Sequence, residues 1–333
     1  MDATECGLSA VGDRLLLAQF ARPRADRRTR LAVLGDPHVA TRSRETYRVF
    51  HRTEQRLRTA IDDCNERDVD LVVFPGDLTK DGEPWNYDRV DVLLEELERP
   101  FVATPGNHDL QKRQDEHDCP SPSAFADRYA SGSLPGRYEM DEIDLFVLNS
   151  ASGPDGAYTD THRGLVSSDQ IEWLDEELEG TTAPIVCCHH NPMPIVNDPL
   201  CQSQPWRTFT MRRRERLRSV LEKHDVGLVL SGHHHLPAVV RHGETRQLIA
   251  PALASYPQAY CLLEIDEDGT SVWLVSVAGE AGRSEAYELA EAGPTFRRTL
   301  LGITEDALED SPLLSEPPLI VGSPSVGAAK PVR

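Results

Sequence analysis

The chain has little lysine, no Cys-x-x-Cys pair and no long apolar run, and each shortage argues against something. No stretch reaches the ~18 consecutive apolar residues of a membrane-spanning helix. The first residues lack the charge, apolar core and small-residue site of a secretory leader, and Leu15–Phe20 is too short for either role. A soluble protein with no membrane partner is expected. Seven cysteines, an odd number, sit at 6, 64, 119, 187, 188, 201 and 261. Cys187 and Cys188 are neighbours on a strand-like run, so their side chains should point to opposite faces. This usage predicts reduced thiols in a cytoplasmic protein and argues against a disulfide framework.

Only four of the 35 basic residues are lysine, and the formal net charge is −20. Such a surface repels nucleic-acid phosphates, so a nucleic-acid partner is not expected. An anionic substrate would have to be drawn by cations bound in the site. The Arg-rich stretch Ala21–Arg30 is broken by Pro23 and Asp26 and reads as a solvated connection.

What is present is an alternation of strand and helix patterns. Apolar runs at Leu31–Gly35, Leu71–Pro75, Phe101–Thr104, Ile143–Leu148, Pro184–Cys188 and Gly227–Ser231 read as strands. Helical spacing covers Thr41–Arg67, Pro84–Leu97, Met211–His224 and Ser168–Leu178, the last capped by Ser167 or Ser168. Four short strands follow, with Asp268-Gly269 as the hairpin between the last two. This order predicts an α/β fold, two mixed sheets face to face with helices outside, a four-layer α/β/β/α sandwich. Residues 1–30 read as an N-terminal extension and 31–277 as the domain. Residues 278–333 read as a C-terminal extension, disordered from about 309, where Pro, Ser and Gly accumulate. The polar segment Leu110–Arg137 reads as an insertion beside the site.

Five strand-like runs end in polar clusters: Asp36-Pro37-His38, Gly76-Asp77, Gly106-Asn107-His108-Asp109, His189-His190-Asn191-Pro192 and Gly232-His233-His234-His235. Parallel sheets carry their chemistry beyond the carboxyl ends of their strands. Alone, Gly-Asp is a turn, Asp-Pro-His a capped turn, and His-His a satisfied strand end. Three successive imidazoles, however, are costly to bury without a metal or an anion. Five such clusters converging at strand ends are the functional signal.

In this order the five motifs resemble the calcineurin-like metallophosphoesterases, over roughly Leu31 to Val275. Gly76–Gly82 and Gly164–Leu174 also resemble the branch of cyclic-nucleotide and glycerophosphodiester phosphodiesterases. The resemblance implies two divalent ions about 3.5 Å apart that activate a shared water and clamp phosphoryl oxygens. It assigns Asp36, His38, Asp77 and His235 to the first ion, and Asp77, Asn107, His189 and His233 to the second, with Asp77 as the bridge. The family's His-His-Pro is here His-His-Asn-Pro, so counting from Pro192 selects His190, whereas counting from the strand selects His189. Mixed N/O donors suit Mn, Fe, Zn or Ni. His108 would protonate the leaving alkoxide or steady a phosphoryl oxygen. Asp109 would orient His108 or cap a helix. Asn107, His108 and His234 would face the substrate.

The function implied is dimetal-dependent hydrolysis of a small phosphate ester, foremost a diester. The alternatives are a phosphomonoesterase or protein phosphatase, a DNA nuclease and a non-catalytic scaffold. A scaffold would have lost ligands and none is missing, and a nuclease would bring a basic groove that this acidic chain lacks.

Overall fold

Most of the strand-like runs are apolar at every position, so they need cover on both faces. In the computed structural model, which describes residues 8–44, 46–112, 115–153, 162–196 and 199–318, that cover comes from a second sheet and from helices. The first half of the chain runs β1 (Arg14–Phe20), β2 (Thr29–Val33), α1 (Thr53–Glu66), β3 (Leu71–Phe74), α2 (Pro84–Leu94), β4 (Phe101–Ala103), α3 (Pro122–Tyr129), β5 (Gly136–Met140) and β6 (Ile143–Val147). It continues through α4 (Ser168–Glu177), β7 (Ala183–Cys187), the single turn α5 (Trp206–Phe209), α6 (Arg214–Lys223), β8 (Leu228–Ser231), β9 (Ala238–His242) and β10 (Thr245–Ile249). Last come β11 (Ala259–Asp266), β12 (Gly269–Ser276), α7 (Glu280–Glu291), α8 (Thr295–Glu309) and β13 (Leu314–Ser315).

The strands form two mixed sheets, β13-β1-β12-β11-β2-β3-β4 and β5-β6-β7-β8-β10-β9. Within them β2, β3 and β4 run parallel, as do β6, β7, β8 and β10. Leu31, Val33 and Val73 of the first sheet share a core with Leu145, Ile185 and Leu230 of the second. The alternate residues Ala32, Val72 and Phe74 pack instead with Leu57 and Ile61 of α1 and Val90 of α2. On the far side Val186, Cys188 and Val229 meet Leu174 of α4 and Leu217 of α6. Three cores separating four layers make the α/β/β/α sandwich. Cys187 and Cys188 fall in different cores, as strand alternation requires, and the described cysteines are free thiols.

Several local expectations change. The helix read over Thr41–Arg67 begins only at Thr53. Ahead of it Val49 sits at φ 41°, a left-handed conformation that a helix cannot contain, and its N–H bonds the Thr46 carbonyl at 2.8 Å. The N-terminal segment is more than an extension, because β1 pairs with β12 along its length. The segment after residue 278 forms α7 and α8, whose helically spaced Ala286, Leu300, Leu301 and Leu308 are buried. Order continues past residue 309: β13 pairs with β1, and Glu316 meets Arg246 Nη2 at 2.6 Å. The remainder of the expected tail, residues 319–333, lies outside the described residues. The insertion 110–137 carries α3, whose Phe125 and Tyr129 join the α1–α2 core. Among the described residues no helix is long and apolar enough to cross a membrane.

Candidate metal centre

The residues that follow β2, β3 and β4 in one sheet meet those that follow β7 and β8 in the other. Strand ends fix where each backbone stops, and unusual backbone then aims the side chains inward. Asp36, His38, Asp77, His233 and His235 have φ of 43°, 45°, 55°, 73° and 62°. Left-handed backbone at non-glycine residues is costly and concentrates at functional sites. The neighbouring glycines are required by close approach. A Cβ on Gly106 would overlap the Asp77 carboxylate, and one on Gly232 would lie 2.5 Å from Asp36 Oδ2.

The inward side chains form two groups. Asp36, His38, Asp77 and His235 offer ligand atoms all within 4.8 Å of one another, and so do His189, His190 and His233. Asp77 joins the groups: its Oδ2 lies 3.5 Å from His38 Nε2 and 3.5 Å from His189 Nε2. His189 Nε2 is also 3.1 Å from Asn107 Oδ1. His190 stands beside these two rings but is anchored outward, with Nδ1 2.8 Å from Ser150 Oγ and its N–H on the same oxygen. Asp36 accepts the His233 N–H on both oxygens at 3.1 Å, tying the two sheets together.

The donor set fits divalent cations. His38 Nδ1 donates to the Thr79 carbonyl, His189 Nδ1 to that of Pro75, and His233 Nε2 to that of His162. Each bond sets the tautomer and leaves the opposite nitrogen as a lone pair for an ion. His38 Nε2 and His235 Nε2 face each other at 3.0 Å, so a cation or a shared proton must separate them. Burial and the charge of Asp77 push the Asp36 carboxyl well above the usual carboxylate range. Burial holds His38, His233 and His235 well below the ordinary histidine value, in the neutral form that ligates metals.

Around this centre sit residues of other kinds. His108 Nδ1 lies 2.7 Å from Asp81 Oδ1, and its Nε2 lies 3.1 Å from Arg48 Nη2. The carboxylate only accepts and the guanidinium only donates, so His108 is neutral with its proton on Nδ1. Asp109, expected to orient His108 or cap a helix, does something else. Its oxygens accept from Leu78 N–H, Thr79 N–H, Thr79 Oγ1 and Gly106 N–H at 2.9–3.1 Å, stapling the loop after β3 to the loop after β4. Burial and the Asp77 charge push its pKa up to about 7. His234, expected toward the substrate, is 3% exposed, and its Nδ1 meets Asn191 Nδ2 at 2.6 Å. Asn191, the residue that departs from His-His-Pro, thereby ties the end of β7 to that of β8, also through Ser231 Oγ at 2.7 Å.

Sequence reasoning overlooked the parts played by Asp81, Arg48 and Arg297. Asp81 could have been found from its place four residues after Asp77 in the Gly76–Gly82 stretch; the two arginines carry no local signal. Asp115, His117 and Cys119 also lie together, but the Lys112 ammonium, 3.4 Å from Asp115 Oδ2, already supplies a cation there.

Two buried ligand groups joined by a carboxylate, at the strand ends of this sandwich, define a dimetal phosphoester hydrolase. The chain belongs to the calcineurin-like phosphoesterase family, whose sequence profile matches residues 29–237. It is 27% identical to a probable cyclic nucleotide phosphodiesterase of Synechococcus sp., covering 73% of this chain and 87% of that protein. It is 30% identical to a cAMP/cGMP dual specificity phosphodiesterase of Mycobacterium tuberculosis, covering 61% of this chain and 60% of the other. A dimetal phosphatase from Danio rerio has the same fold, with a TM-score of 0.60 at 17% identity over 75% of this chain and 97% of that one.

Proposed function

We propose that the protein is a phosphodiesterase that cleaves a small cyclic nucleotide at a dinuclear transition-metal centre. The observation that carries this reading is the single Asp77 oxygen equidistant from His38 and His189, the arrangement a carboxylate needs to serve two ions. The names of the relatives support the substrate class. Asp36, His38, Asp77 and His235 would hold one ion, and Asp77, Asn107, His189 and His233 the other. His189 is favoured over His190 because it is the imidazole that meets both Asp77 and Asn107. Nitrogen and oxygen donors together suit Mn, Fe, Zn or Ni.

Two ions held there would supply positive charge to acidify a water and neutralise phosphoryl oxygens. The chain's own residues do the rest. Asp81 fixes the His108 ring through Nδ1, so that Nε2 faces the reacting group. There His108, after taking a proton from solvent at Nε2, acts as acid toward the departing alkoxide or donates to a phosphoryl oxygen. Asp109 keeps the Asn107-His108 loop in register with Asp77 and makes no contact with substrate.

The test is a substrate panel on purified, Mn-reconstituted protein: 3′,5′-cyclic AMP, bis-p-nitrophenyl phosphate, p-nitrophenyl phosphate and single-stranded DNA. Turnover of the cyclic nucleotide and the diester is expected. Turnover of the monoester alone would overturn the diesterase reading, and DNA cleavage would reassign the substrate.

A further inference from the structure

Two arginines from distant parts of the chain flank the metal centre. Arg48 precedes the short 3-10 turn Phe50–Arg52, and its Nη2 contacts His108. Its Nε is buried without a hydrogen-bond partner. The next residue, fully buried Val49, holds a left-handed φ of 41°, a strained conformation for a β-branched side chain. Arg297 lies in the first turn of α8, beyond the family-matched residues 29–237. Its guanidinium carbon is 4.2 Å from the centre of the Tyr47 ring, and that of Arg48 is 5.4 Å from the same ring. Arg297 shares a small cavity with Tyr47, His234 and His235.

Neither guanidinium pairs with a carboxylate among the described residues, although the chain has 55 acidic residues against 35 basic ones. The contrast is with interior Arg246, which is held by Glu316. Two cations without a carboxylate partner among the described residues, beside a site for two more, are mutually repulsive, and an anion relieves that repulsion. A guanidinium fork also matches phosphate oxygens geometrically.

We propose that Arg48 and Arg297 form a clamp for the phosphoryl group, with α8 supplying its second arm; the proposal rests on the function given above. A phosphoryl anion offers Arg48 better acceptors than His108 Nε2.

The test uses the metal-loaded full chain and inorganic phosphate, with affinity read by calorimetry and as competitive inhibition. Arg297→Gln should weaken phosphate binding about 10- to 100-fold and raise KM, with metal content and thermal midpoint unchanged. Arg297→Lys should recover part of the loss, because it keeps the charge without the fork. Arg48→Gln, on a separate element, should weaken phosphate to a similar degree. Wild-type phosphate affinity and KM in both glutamine variants would overturn the clamp. A wild-type protein that binds phosphate but turns over no diester would overturn the proposed function and leave the clamp standing.

Discussion

His108 Nδ1 and Asp81 Oδ1 are 2.7 Å apart, while Asp109, the acid next to His108 in sequence, points into the loop beneath it. The partner that sets the His108 ring is therefore 27 residues away, on the loop after β3. Asp81→Asn should lower kcat about 10- to 100-fold with both ions retained. Wild-type kcat in that variant would leave the His108–Asp81 contact without a catalytic part.

His108→Ala separates chemistry from ligation. Metal content should be unchanged and turnover should fall by ~10²–10⁴. The loss should be larger for a poor alkyl leaving group than for p-nitrophenolate, which departs without a proton. Equal losses on both esters would assign His108 to the phosphoryl oxygen, and loss of metal would make it a ligand.

Asp77 and Asp36 differ in what they hold. Asp77 serves both ligand groups, whereas Asp36 faces mainly the His38–His235 group. Elemental analysis should find that Asp77→Asn binds neither ion well and that Asp36→Asn keeps close to one. Chelation should abolish turnover, and added Mn should restore it. Near-native loading of Asp77→Asn would move the bridge elsewhere.

Asp109→Ala removes a buried acceptor from three backbone N–H groups and one hydroxyl. Orphaned buried donors cost ~1–3 kcal/mol each, partly recovered by relaxation, so a loss of about 3 kcal/mol is expected. Urea unfolding of metal-free protein measures it without the stabilising effect of bound ions. A midpoint equal to wild type would show that the two loops are stapled by other contacts.

Glu316 anchors the segment that follows β13. It accepts from Arg246 at 2.6 Å and from the Ala21 N–H at 3.0 Å, and the ion-pair side chains are only 4% and 9% exposed. Glu316→Ala strands a buried guanidinium and should cost about 3–5 kcal/mol. If thermal unfolding shows no change, β13 contributes nothing to the first sheet.

The sandwich and the convergence of the polar strand ends were legible in the sequence because both are local. A strand apolar on both faces announces its layer, and a side chain at a strand end is placed by the few residues around it. Asp36, His38, Asp77, Asn107, His189, His233 and His235 each follow such a strand within five residues. Tertiary structure alone decided the rest. Asp81 rather than Asp109 meets His108 because the loop after β3 curls over the loop after β4, and adjacency in sequence carries no information about that crossing. Arg297 is 249 positions from Arg48, numbering from 48 to 297, and reaches the Tyr47 ring beside it only through the packing of α8. The sequence of the C-terminal extension does not announce α7 and α8, because their apolar spacing is sparse and interrupted at Pro294, and the pattern makes sense only against the surface it covers. Local physics sets where a chain can present chemistry; long-range packing sets which side chains share it.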